Sequence, residues 1–381
     1  MKKIAVVTGT RAEYGILRPV LRAIKSSPQL DLALIATGMH LSEEFGGTVK
    51  EIEKDGFKID AKVEMIHTRD TGAAMAKSIG KCVSGMTDAL ERIKPDILLL
   101  LGDRAEMLAA AVVASYMGIS IAHLHGGEVS GGVDDSVRHA ITKLAHIHFP
   151  ATEKSAKRII KMGEDPSRIF VVGAPSIDTI LNERLPKQVE IAKKYGLNLS
   201  KPILLVLQHP VVTEADEAAG QIKETLDAIA GLKYQTILIY PNADAGGRRM
   251  IKMIKKYKKH PFIKSFKSIP YTDYLGLMRV VSVMVGNSSS GIIEAPSFHL
   301  PVVNIGTREK GRERSTNLID VNYETREIVK AVKRALYDKK IRNKVKRCKN
   351  VYGDGKASQR IVKVLSEINI TPKLLQKKIT Y

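Results

Sequence analysis

The chain has 381 residues, 44% of them apolar and 27% charged, with a formal net charge of +21 and no tryptophan. That length suits two cores of ordinary size, and that balance of residues excludes an intrinsically disordered chain. The longest apolar run, Ile97–Leu101, is far too short for a membrane span, and the opening Met1-Lys-Lys-Ile-Ala-Val-Val-Thr-Gly enters a strand-like run without a cleavage site.

A soluble, cytoplasmic protein without a membrane partner is therefore expected. Cys82 and Cys348 lie far apart without metal-ligand spacing and read as reduced thiols. Lysines concentrate in stretches such as 252–259, where apolar residues interleave at helical spacing, as on a solvated helix face. Nucleic-acid binding would want aromatic stacking residues beside that charge, so the basic surface reads instead as an attractor of small anions.

Short β-branched apolar runs alternate with helical patterns along the chain, the signature of parallel sheets. Strands are expected at Ile4–Thr8, Leu30–Ala36, Ile97–Leu101, Ile119–His123, His148–Ala151 and Ile169–Val172. Between them Ile16, Leu17, Val20, Leu21 and Ile24 recur at helical spacing, as do the apolar positions from Met75 to Ile93. After a more polar stretch, Pro175 to Lys201, the pattern restarts with strands at Ile203–Leu207, Thr236–Tyr240, Ser282–Val285 and Val302–Ile305. Helices are expected at Ala218–Ile229 and Gly246–Tyr257, then at Glu327–Leu336, Ile341–Cys348 and Ser358–Ile368. This predicts an α/β fold of two Rossmann-like domains facing a cleft. The N-terminal domain takes residues 1–175 and the C-terminal one 176–360, with a tail over 361–381 that packs back on the first half. Ligands of doubly wound sheets bind beyond the carboxyl ends of the strands, so the site should lie between the two.

The residues following those strands carry the chemistry. Thr8-Gly-Thr-Arg-Ala-Glu-Tyr-Gly15 is not the GxGxxG fingerprint, which argues against NAD. It still offers helix N-terminal amides and Arg11 to a diphosphate, unless it is only an ordinary glycine-containing turn. Gly102-Asp103-Arg104 places an acid beyond a buried strand, either to act in the cleft or to cap the next helix. His123-Leu-His-Gly-Gly-Glu-Val-Ser-Gly-Gly-Val-Asp-Asp-Ser-Val-Arg-His139 concentrates histidines, acids and glycines, which suits acid–base work close to the backbone. It lacks a fixed pair such as HxxxH, so no metal is expected. One of Asp134 and Asp135 is expected to cap the following helix. In the second half, Gln208-His209-Pro210, Pro241-Asn242-Ala-Asp244 and Gly286-Asn-Ser-Ser-Ser-Gly291 follow strands. Ser288, Ser289 and Ser290 at a helix start suit phosphate, Glu294 one turn on suits ribose hydroxyls, and Arg308 adds charge.

At Gly102-Asp-Arg, the 123–146 block, Leu207-Gln-His-Pro210, Gly286-Asn-Ser-Ser-Ser-Gly291 and Gly306-Thr-Arg308, the chain resembles the hydrolysing UDP-N-acetylglucosamine 2-epimerases. The resemblance runs from Lys3 to about Arg360. It implies a fold like the GT-B glycosyltransferases, no metal and no other cofactor, and a homodimer or homotetramer. The implied reaction converts a UDP-sugar and water to N-acetylmannosamine and UDP by elimination and hydration. Asp103 and Asp134 take the implied carboxylate positions, and His209 faces the sugar or leaving diphosphate. UDP contacts fall to Arg11, Arg104, Asn242, Ser288, Ser289, Glu294 and Arg308. Where many members read His-x-Glu-Gly-Gly-Glu, this chain reads His123-Leu-His125-Gly-Gly-Glu128, so a histidine stands at a usually acidic position. The base is then one of His125, Glu128 and Asp134, and a UDP-diacetamido-trideoxyhexose joins UDP-N-acetylglucosamine as a substrate. A GT-B glycosyltransferase, which needs the same nucleotide cradle and an acceptor, is the competing reading.

Overall fold

The computed structural model describes residues 1–381 and contains two six-stranded, wholly parallel sheets. The first comprises β1 (Lys2–Thr8), β2 (Leu30–Thr37), β3 (Ala61–Val63), β4 (Ile97–Leu101), β5 (Ser120–Leu124) and β6 (Ile147–Phe149) in the spatial order β3-β2-β1-β4-β5-β6. The second comprises β7 (Ile203–Leu207), β8 (Gln235–Ile239), β9 (Ile263–Phe266), β10 (Val283–Gly286), β11 (Val302–Ile305) and β12 (Leu318–Val321), ordered β12-β11-β10-β7-β8-β9. Central strands such as Ile97–Leu101 and Ile203–Leu207 are buried at every position, as strands covered by helices on both faces must be. This is the two-Rossmann architecture expected from the sequence.

Three strands were not expected, β3, β9 and β12, and all are sheet edges. With neighbours on one side only they are short and carry exposed Lys62, Lys264 and Asp320, so no apolar run marks them. The strand expected at Ile169–Val172 is reduced to a single bridge between Ile169 and His148. The next partner along β6 is Pro150, which has no N–H to continue the ladder.

The chain crosses between the halves and returns. Helix Pro175–Asn182 and the late helix Ala357–Glu367 both lie against helix Arg11–Lys25, and Ile361, Leu365 and Leu374 join the core under the first sheet. Asp178 ties the crossings together: its carboxylate accepts from the Ala357 and Ser358 amides (2.9 and 2.7 Å) and from the Ser358 hydroxyl (2.6 Å). No helix is long and apolar enough to cross a membrane.

Candidate active site

Each sheet reverses its winding once, between β1 and β4 in the first and between β7 and β10 in the second. Such switch points open a crevice beyond the strand ends, because the flanking loops part to opposite faces. Gly9-Thr10 and the helix start at Arg11 follow β1, Gly102-Asp103-Arg104 follows β4, Gln208-His209 follows β7 and Asn287–Ser290 follows β10. The two crevices face each other across one cavity of about 280 Å³. All thirteen residues singled out from the sequence line it: Arg11, Asp103, Arg104, His125, Glu128, Asp134, His209, Asn242, Ser288, Ser289, Ser290, Glu294 and Arg308. Glycine is required at both switch points. A side chain at Gly9 would overlap the Glu106 carboxylate, and Gly286, at φ 135°, lies against the Leu207 carbonyl.

The first half contributes the acids. Asp103 does not cap the helix behind it; that N-cap is Arg104, and the Asp103 carboxylate instead takes the fully buried guanidinium of Arg138. His125 sits at φ 59°, a left-handed conformation that costs a non-glycine residue about 1 kcal/mol. Its amide is held by the Phe149 carbonyl (3.1 Å) and its Nδ1 meets Glu128 Oε1 at 2.7 Å. Burial alone would raise the Glu128 carboxyl, but Arg312 at 2.7 Å and His125 overrule it and hold the group ionised. His125 Nε2 is buried, has no protein partner, and belongs to a residue lining the cavity.

Neither acid of the Asp134–Asp135 pair caps its helix: the N-cap is Gly132, and both sit in the first turn, where a helix favours negative charge. They divide their work otherwise. Asp135 holds the Ser130 amide (2.9 Å) and Arg138 (3.2 Å), whereas Asp134 lines the cavity and meets Arg308 at 3.1 Å. Burial raises the Asp134 carboxyl despite Arg308. His123 and His139 stay out of the cavity lining. The first is wedged between the Gly102 carbonyl (2.7 Å) and Thr142 (3.1 Å), the second pairs with Asp135.

The second half contributes donors. His209 is clamped at its backbone by Asn287, whose Oδ1 accepts from the His209 amide (2.6 Å) and whose Nδ2 donates to its carbonyl (2.9 Å). Its Nδ1 accepts from the Asn242 amide at 3.2 Å, which leaves the proton on Nε2. Burial, reinforced by Arg308, Arg104 and Arg11, keeps the ring neutral. The serines open a helix of only four residues, Ser290–Ile293, and the turn after Glu294 is 3₁₀, with Pro296 inside it. The helix expected at the serines does begin there but stops after one turn, because Pro296 cannot donate to a continuing α-turn. Close serine hydroxyls and amides remain, without a full macrodipole. Tyr274 donates to Ser290 Oγ (2.9 Å), and its ring lies 5.7 Å from the Arg11 guanidinium. Arg11 Nη1 and Asn242 Oδ1 are buried without partners. Burial raises the Glu294 carboxyl.

Sequence reasoning missed Arg138, Asn287, Glu309 and Arg312. Arg138 lay inside the quoted acidic segment and Asn287 beside the serines, but nothing in the spacing of Arg312 shows that it reaches Glu128 across 184 positions. These residues close a chain of charges across the cleft. His125 meets Glu128, Glu128 meets Arg312, Arg312 Nε meets Glu309 (2.8 Å), Glu309 meets Arg308 (2.7 Å), and Arg308 returns to Asp134.

The model of a family described as UDP-N-acetylglucosamine 2-epimerase matches residues 22–366. The chain is 42% identical over 377 residues to a UDP-N,N'-diacetylbacillosamine 2-epimerase (hydrolyzing) of Legionella pneumophila, covering 99% of each. It is 36% identical over 335 residues to a UDP-N-acetylglucosamine 2-epimerase of Neisseria meningitidis serogroup B, covering 88% of each. Among solved structures, a UDP-GlcNAc 2-epimerase from Neisseria meningitidis bound to UDP-GlcNAc superposes with a TM-score of 0.79 at 19% identity, over 96% of this chain and 99% of that one. The Methanocaldococcus jannaschii enzyme with UDP-GlcNAc and UDP gives 0.76 at 22%, over 96% and 99%. The structural likeness shows the fold, the sequence matches show the kinship, and this chain belongs to the UDP-N-acetylglucosamine 2-epimerase family.

Proposed function

We propose that this enzyme hydrolyses and epimerises a UDP-2-acetamido sugar, with UDP-N-acetylglucosamine giving N-acetylmannosamine and UDP. One observation carries the reading. Arg11 Nη1, Asn242 Oδ1 and His125 Nε2 are buried, unpartnered polar atoms of residues around a single cavity that also holds Asp103 and Asp134. Buried polar atoms are expected to find partners, and a ligand with an anionic, hydroxyl-rich end and a reacting ring supplies them.

In this reading Ser288–Ser290, Arg308 and Arg11 hold the diphosphate and Glu294 holds ribose hydroxyls. The C2 proton of the sugar is barely acidic, so the C1–O bond breaks first and UDP takes its electrons. Asp103 and Asp134 stabilise the positive charge left at C1. A base then removes the C2 proton, and that C–H electron pair becomes the C1–C2 double bond of the 2-acetamidoglucal. Water adds back as hydroxyl at C1 and a proton on the other face of C2. His209, neutral with its proton on Nε2, donates to the departing oxygen without adding a full charge. Of the three candidate bases, Asp134 is tied to Arg308 and both oxygens of Glu128 are engaged, so the free Nε2 of His125 is assigned the role.

A UDP-2,4-diacetamido-2,4,6-trideoxyhexose is favoured by a second observation. The first half lines the cavity with Met39, Met75, Ile79, Leu108, Val133 and Val137, a surface suited to a 6-methyl and a second acetyl group. The Legionella relative named for a diacetamido sugar points the same way. Incubation with each UDP-sugar separately, followed by chromatography of UDP and the freed sugar, tests both. UDP with a free 2-epimer is expected. Turnover that needs an added acceptor would instead identify a glycosyltransferase.

A further inference from the structure

His125 is the assigned base, and a neutral imidazole can act as a base at Nε2 only when its proton is on Nδ1. Glu128 Oε1, 2.7 Å from Nδ1, accepts that proton's hydrogen bond when it is ionised. Glu128 is 3% exposed, so its charge needs a partner, and its second oxygen finds one 2.7 Å away in Arg312. Arg312 belongs to the other half of the molecule. It lies on the segment after β11, where Glu309 also holds Arg308, the residue that reaches Asp134. One C-terminal segment thus engages two acids of the N-terminal half through a shared carboxylate.

We propose that Arg312 is a positioning residue for the reaction: when the halves close, its guanidinium seats Glu128, and Glu128 fixes His125 with the proton on Nδ1 and Nε2 turned to the sugar. The base is then complete only in the closed molecule. This rests on the UDP-sugar reading above and on His125 as the base. Arg312 also helps to hold the Glu128 carboxyl ionised, and with it the acceptor that keeps the proton on His125 Nδ1. Other groups facing the His125–Glu128 pair are His123 of β5, Arg138 of the following helix, Arg158, whose guanidinium holds the Gly127 carbonyl, Glu294, and Tyr352 from the late chain. Arg312 is the cation bonded to the Glu128 carboxylate itself. Removing it lets Glu128 take up a proton more readily, and a protonated Glu128 no longer holds His125 in the required tautomer. The acid limb of activity must then move to higher pH.

The test compares the wild-type enzyme with Arg312→Met, Arg312→Lys and the double variant His125→Asn/Arg312→Met. Arg312→Met is expected to lose about 10- to 100-fold in kcat, as removal of a supporting partner typically does, with UDP affinity by calorimetry unchanged and the acid limb of kcat shifted upward. Arg312→Lys keeps the charge and should return the limb to its wild-type position. In the His125→Asn background the loss from Arg312→Met should vanish. An unmoved limb, or an undiminished loss when His125 is absent, overturns the proposal. Should Arg312→Met fail to fold, Glu309→Gln loosens the same guanidinium and is expected to shift the limb in the same direction; wild-type rate and limb in that variant overturn it equally. A wild-type enzyme that releases no UDP from any UDP-2-acetamido sugar sinks the reaction itself before the variants are compared.

Discussion

Asp103 and Glu294 line the same cavity from opposite halves, and the reading gives them different fates on substitution. Asp103→Asn removes charge next to C1 while leaving the serine-lined cradle alone. Turnover is expected to fall by about 100-fold or more, the usual scale for a group acting on the reacting atoms, with UDP affinity retained. Near-normal turnover would refute the assignment. Glu294→Ala should weaken UDP by about tenfold, the loss of hydrogen bonds to a charged acceptor, and calorimetry reads it directly. Both residues were legible in the sequence because each follows a strand whose apolar run is unmistakable. Arg138 and Arg312 were not, because their meaning depends on acids 35 and 184 positions away.

At the scale of elements, legibility followed burial. The central strands and the buried edge strand β6 announced themselves by mainly apolar runs, whereas the edge strands β3, β9 and β12, with charged residues facing water, did not. The overestimate at Ile169–Val172 came from reading composition without its partner, since the obstacle is Pro150 on the neighbouring strand. Two buried acids make predictions here. Asp178 satisfies two amides and a hydroxyl at the start of helix Ala357–Glu367, so Asp178→Ala should cost about 1–2 kcal/mol and lower the melting temperature by a few degrees. An unchanged melting temperature would show that the crossing is held elsewhere. Glu13, behind the loop after β1, is pushed up to about 8 by burial and by the neighbouring Glu106, against the pull of Arg104. Its ordinary value is 4.5, so between there and about 8 the folded chain keeps a proton that the unfolded chain has lost. Stability from this group is full below that window and declines as pH rises through it. Glu13→Gln removes the penalty, and its melting temperature relative to wild type should climb from pH 5 to pH 8. A constant difference would contradict a protonated Glu13.

The two halves of the molecule are joined by contacts that no single half contains. Besides the charge chain, Arg104 reaches Asp244 (3.4 Å), Arg248 pairs with Glu44 (2.8 Å), and Asp70 of the first half accepts from the Gly246 and Arg249 amides that open helix Gly247–Lys256 in the second. Asp70 therefore caps a helix across the cleft. Asp70→Ala should shift the open–closed balance by about fivefold toward open, the equivalent of one lost cap. KM should rise with it, and small-angle scattering of the UDP-bound variant should show a larger radius of gyration than wild type. An unchanged KM would mean that closure does not depend on this cap. The claim on which all of this turns is that bond making at C2 passes through the 2-acetamidoglucal. Turnover of the UDP-sugar in deuterated water, with the freed sugar examined by NMR, measures it directly. A free 2-epimer carrying deuterium at C2 is the predicted result; release of UDP with the original hydrogen still on C2 would contradict it.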